Sequence, residues 1–148
     1  MNDNSKYIVD KCGAFSHLKN DDIFLSNKEQ CLIACARKHS ESTYYIVDYC
    51  NCIEFGCESD DLSLIIPLST SYAFLLSCKK MNAVPVIMHT HCSNSLYFNP
   101  LKFSQQDELF MESLMDFAFK HFGITECISI ISDGTKTLEK IYKCKEVL

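Results

Sequence analysis

Residues 84–107 read VPVIMHTHCSNSLYFNPLKFSQQD. The apolar run Val84 to Met88 ends in His89-Thr90-His91, a polar loop follows, and Ser104-Gln105-Gln106-Asp107 opens a segment with helical spacing. Side chains alternate along a strand, so His89 and His91 point to one face while Thr90 points to the other. Two imidazoles on one face, at the open end of a buried strand, are half of a metal site. An aspartate in the first turn of the next helix can supply a third ligand. Three protein ligands plus a water is the arrangement of catalytic rather than structural zinc. Each half of this array has a plainer explanation. Histidines at a strand end are often solvated, and Ser104-x-x-Asp107 is a sound capping box in its own right. The combination is more specific, because the loop from His91 returns the chain to a helix that starts beside the strand end.

Working outward, Val84 to His91 is apolar almost throughout, which marks a central strand buried on both faces. Pro85 is tolerated near its start. Upstream, Ser69-Thr70-Ser71 offers helix N-cap oxygens, and YAFLLSCKKMN carries Lys79 and Lys80 in its last turn, where cations suit the helix dipole. Leu62 to Pro67 is either a strand or the approach to that helix. Downstream, Leu109, Phe110, Leu114, Phe117, Ala118 and Phe122 recur at three and four positions, predicting a helix from Gln105 to Phe122 that Gly123 ends. Ile128 to Ile131 is a strand, Asp133-Gly134 a turn, and Thr137 to Lys143 its hairpin partner.

In the first half, Glu29 stands before CLIACARK, a short apolar run that suits a buried strand. Lys38 to Ser42 makes a turn and Thr43 to Ile53 reads as the antiparallel return strand. Tyr7 to Val9 begins an edge strand that Gly13 turns, and the stretch from Ser16 to Lys28 has no clean period. His17 and His39 read as surface residues, and His121, near a helix C-terminus, gains from the dipole when protonated and is assigned no catalytic role. The expected architecture is one α+β domain over residues 1–148, with a mixed, mostly antiparallel sheet flanked by two main helices.

Composition narrows the function classes. A chain of 148 residues is large enough to bury its own core, and its net charge of −5 argues against a nucleic-acid binder. No apolar run approaches the length of a bilayer span, and MNDNSKYIVDK lacks the regions of a signal peptide. The expectation is a soluble cytoplasmic protein with neither nucleic acid nor membrane as partner. Most of the ten cysteines sit in apolar runs, where a free thiol behaves as a small hydrophobe. Cys50, Cys52 and Cys57 could instead hold a structural metal, although they contain no C-x-x-C pair.

Glu29, His89-Thr90-His91, Ser104 and Asp107 together resemble the JAMM motif of the JAB/MPN zinc metallopeptidase family, over roughly Glu29 to Tyr142. The resemblance implies a JAB/MPN-like fold and Zn2+ held by His89, His91 and Asp107. It makes Glu29 the general base and then acid toward the attacking water, and Ser104 a stabiliser of the oxyanion. It also implies a substrate, the extended C-terminal tail of a ubiquitin-like protein or conjugate. Two features depart from the common pattern. Cys92 follows the second histidine where the family usually has proline, although an endosomal deubiquitinase branch carries the same His-Thr-His-Cys string. The twelve residues from Cys92 to Phe103 make a longer loop, whose Tyr97 and Phe98 either contact a peptide or tuck into the core.

Other readings draw on the same residues. A non-catalytic MPN-type binding or scaffold module would usually carry a broken motif, and this one is intact. A relative of the DNA-repair-associated RadC branch shares the His-x-His element but sits badly with the acidic charge. A thiol protease through Cys92 and His91 is disfavoured, because neighbours in a strand point to opposite sides.

Overall fold

Strand β2 (Lys28–Ser40) is the spine of the sheet. Its residues Cys31 to Ala36 are all buried, so neither face of that stretch meets solvent. On one side β3 (Thr43–Tyr49) returns antiparallel, and β4 (Ile53–Gly56) pairs antiparallel with the first part of β2. On the other side β5 (Val84–Thr90) pairs antiparallel, from Cys31↔His89 to Ala36↔Val84. Strand β6 (Glu126–Ser132) joins β5 in parallel, β7 (Thr137–Lys143) returns antiparallel to β6, and β1 (Ile8–Val9) lies parallel to β3. The order is β1-β3-β2-β5-β6-β7, with β4 beside β2. The helices among the described residues are α1 (Leu68–Lys80) and α2 (Gln105–Phe122). This computed structural model describes residues 7–10, 13, 28–49, 53–56, 68–90, 101–132 and 136–145, with the backbone alone at 28–30, 53–56 and 68–70.

Strand alternation divides the interior into two cores. Cys31, Ile33 and Cys35 of β2, with Ile87 and Cys127, pack against Phe74, Leu75 and Cys78 of α1 and Met111, Leu114, Met115, Ala118 and Phe122 of α2. The intervening residues Leu32, Ala34, Ala36, Tyr44, Ile46, Val86, Met88, Ile128 and Ile130 form a second core on the other face, to which the described residues contribute no helix. That face is covered because the sheet curls over it. Tyr44 on β3 donates its hydroxyl to Glu126 Oε1 on β6 at 2.7 Å, across the two strands between them, and Lys38 Nζ adds a contact at 3.2 Å. Glu139 Oε1 on β7 accepts from the backbone N–H of Tyr7 at 2.7 Å and of Ile8 at 3.3 Å, linking opposite ends of the strand order.

The expected JAB/MPN-like layout is therefore overturned. Among the described residues, both helices pack on one face, strand outweighs helix, and the sheet is a curled, mixed half-barrel. The reason lies in Glu126 and Glu139. In a linear reading they look like solvent-facing charges at strand positions, but both are buried and point into the concavity.

Local readings fare differently. Helix α2 and strand β7 have the expected bounds. The return strand is divided into β3 and β4, with residues 50–52 outside the described residues. Ser69 to Ser71 lie within the first turn of α1 rather than ahead of it. The buried stripe of α2 is Asp107, Met111, Leu114, Met115, Ala118 and Phe122, while Leu109 is 53% exposed. The stripe begins on a carboxylate, which is why counting apolar residues alone placed its start wrongly. At the far end Gly123 adopts φ 68, a left-handed conformation that glycine enters without steric cost. His39 is exposed, as expected, and His121 is exposed as well. His17, Leu62 to Pro67, Asp133-Gly134 and the Cys50, Cys52, Cys57 cluster lie outside the described residues.

Two outcomes follow from the bridging carboxylates. Burial, reinforced by Glu126, pushes the Tyr44 hydroxyl from its ordinary 10 up to about 12. A raised folded-state pKa means that this contribution is complete below pH 10 and is lost as pH rises through about 12. Tyr44→Phe is expected to lower stability by about 2 kcal/mol at neutral pH. Its deficit against the parent should shrink as pH climbs from 10 toward 12, as read by denaturant titration at each pH. Glu139→Ala is expected to cost about 1–3 kcal/mol and to strip hydrogen-exchange protection from the Tyr7 and Ile8 amides, with that of β5 unchanged.

Candidate functional site

His89 is the penultimate residue of β5, and its side chain faces the helices. In the sheet it stands between Cys31 of β2 and Ile131 of β6, so apolar neighbours flank it on both sides. The start of α2 lies over it. Asp107 is buried on the inner face of that first turn, with Oδ1 3.1 Å from His89 Nε2. The two side chains are 2% and 0% exposed.

The Asp107 carboxylate serves two partners with its two oxygens. Oδ2 accepts from the backbone N–H of Ser104 at 2.8 Å, while Ser104 Oγ accepts from the backbone N–H of Asp107 at 3.1 Å, completing the capping box. Oδ1 is left directed at the imidazole. Capping and site-building are thus not competing explanations of Ser104 and Asp107, because the cap is what orients the carboxylate. Glu108, next along the helix, accepts from Lys140 Nζ at 2.7 Å and from Tyr142 Oη at 2.7 Å, both on β7. The Lys140 hydrogen bond, helped by that of Tyr142, holds the Glu108 carboxyl below the usual range. This contact fastens the first turn of α2 to the sheet and so fixes the height of Asp107 over β5.

Ser104, Asp107 and His89 are therefore brought together. Glu29 lies in β2 opposite Phe55 of β4, two positions before Cys31, whose partner on β5 is His89. His91 lies outside the described residues, as do Cys92, Tyr97 and Phe98. Cys31 is the neighbour that the linear reading missed. It was visible only as a small hydrophobe in an apolar run, and its place beside His89 is set by strand register, which no local pattern encodes. None of the described cysteines, Cys31, Cys35, Cys78, Cys127 and Cys144, is in a disulfide, and all but Cys144 are buried.

An imidazole nitrogen with a carboxylate oxygen is a donor set that suits zinc. Two ligands at ordinary distances from one tetrahedral zinc stand roughly 3.3 Å apart, close to the 3.1 Å between Nε2 and Oδ1. The pair fits as part of a zinc site. Among the described residues no group of three His, Cys, Asp or Glu side chains is placed to hold a metal, and a third ligand would come from outside them. No protein-family model matches this chain, and no curated protein matches it significantly. Among the described residues, no helix is long and apolar enough to cross a membrane.

Ser104→Ala removes the acceptor for the Asp107 amide and is expected to cost about 1 kcal/mol. If the cap orients Asp107, this variant should also perturb the His89 imidazole resonances in an NMR spectrum. A purely local cap would leave them in place.

Proposed function

We propose that this chain is a zinc-dependent peptidase or isopeptidase of the JAMM type by motif. Its substrate in this reading is the extended C-terminal tail of a ubiquitin-like protein or conjugate, and its compartment is the cytoplasm. One observation carries the reading. A buried aspartate spends one oxygen on its own helix cap and directs the other to within 3.1 Å of a buried imidazole at the end of a central strand.

His89, His91 and Asp107 would hold the metal. When bound, zinc supplies a Lewis acid that eases deprotonation of water near neutral pH. The remaining work belongs to the protein. Glu29 takes a proton from the attacking water and returns it to the departing amine nitrogen, the two-way transfer for which a carboxylate that is not a ligand is suited. Ser104 Oγ accepts from an amide within its cap, which leaves its own hydrogen to donate to the carbonyl oxygen as that oxygen gains charge. The apolar flank of His89 limits water around the ligands and strengthens these interactions. An extended tail can add as a strand to an exposed sheet edge.

Metal content and cleavage of a ubiquitin-like C-terminal fusion test this together. The parent should carry zinc, and His89→Ala and Asp107→Ala should lose it. Glu29→Ala should keep the metal while cleavage falls by roughly 10²-fold or more. A chelator should inhibit and iodoacetamide should not. Undiminished turnover in Glu29→Ala removes the mechanism, and zinc with no cleavage of any such substrate favours a binding module.

A further inference from the structure

Cys35 on β2 and Cys78 on α1 meet across the helix-side core with their sulfurs 3.1 Å apart. Both are buried, at 4% and 0% exposure, and neither is in a disulfide. They are 43 residues apart in the chain and sit on different elements. We propose that they form a reversible dithiol–disulfide pair that staples α1 to β2, with a peroxide as oxidant.

Geometry supports the closure. A disulfide bond is about 2.05 Å long, so the sulfurs need to approach by only about 1 Å. A cavity of about 410 Å³ lies beside the pair, where the ends of both helices meet the sheet, and because Cys78 is fully buried, peroxide reaches its sulfur by local opening of that wall. Cys78 lines the cavity together with Arg37, Lys79 and Phe122. Hydrogen peroxide is small enough to enter a space of this size, whose lining carries Lys38 and the Glu126 carboxylate as well. The hydrogen bond between the pair lowers the Cys35 thiol, against the opposing effect of burial.

The chemistry balances in two steps. The Cys78 thiol attacks one peroxide oxygen, the O–O bond breaks, and sulfenic acid and one water are formed. Cys35 then attacks the sulfenic sulfur, the S–O bond breaks, and the hydroxyl leaves with the Cys35 proton as a second water. The protein gives up two electrons and two hydrogens, and the peroxide is reduced to two waters. A thiol reductant reverses the bond by exchange. Disulfides in a reducing compartment are usually of this transient kind.

The test exposes the folded full chain to hydrogen peroxide, alkylates the remaining thiols under denaturing conditions, and maps the peptides by mass. The expected product is a Cys35–Cys78 linked peptide lighter by two hydrogens, removed by dithiothreitol, in a protein whose Tm has risen by about 5 °C or more. Cys144→Ser should retain that linkage and Cys78→Ser should abolish it. Should Cys78→Ser fail to fold, the parent's peptide map decides alone. Recovery of both residues unmodified, as sulfinic acids, or linked to other cysteines overturns the proposal. It is independent of the role given to His89 and Asp107.

Discussion

Two buried carboxylates hold the sheet in its curl. A carboxylate removed from water is costly unless donors replace its hydration. Glu126 finds the Tyr44 hydroxyl and the Lys38 ammonium, and Glu139 finds two backbone amides. In each case the donors come from strands far along the sheet order, so the requirement is met only when the sheet bends. Bending then brings Leu32, Ala34, Met88, Ile128 and Ile130 into one cluster, to which no helix among the described residues contributes. Apolar burial supplies the larger driving force, as it does generally, but it has no preferred direction. The glutamates give it one.

The two described helices share the other face. Helix α1 delivers the chain to β5 through Asn82, whose φ of 53 turns it sharply, and α2 begins over the far end of the same strand. The His89–Asp107 contact is a product of this arrangement. It requires a central strand whose helix-facing side chain is an imidazole, and a helix whose first inward position is a carboxylate. The presence of an acid there, buried completely, is a choice that packing does not demand.

What was legible in the chain follows from what periodicity can carry. Helix α2 was readable because its cap, its apolar spacing and Gly123 all point to the same bounds, and β7 because its polar and apolar residues alternate. The Ser104-x-x-Asp107 box was readable because capping is local, involving groups three residues apart. Curvature was not, since it depends on pairs such as Tyr44 with Glu126, which lie 82 residues apart. Charged residues in strands are usually solvated, and nothing nearby in sequence marks these two as exceptions. Cys31 was missed for the same reason. Its position beside His89 belongs to the pairing of β2 with β5, not to the run CLIACA.

The loss of the family layout bears less on the site than it first suggests. A site on a fold depends on the few elements that carry it, and similar chemistry recurs on unrelated architectures. Here the elements are β2, β5 and the first turn of α2. Antiparallel pairing sets Cys31 beside His89, and Glu29 has the same parity along β2 two positions earlier. The helix start is fixed over the strand end by a cap and by the Glu108 contacts to β7. None of these relations uses the β1–β3 end of the sheet or the side on which a third layer would lie. The fold and the motif are therefore separate questions. The curl answers the first, and the chemistry of His89 and Asp107, with residues 29 and 91, must answer the second on its own.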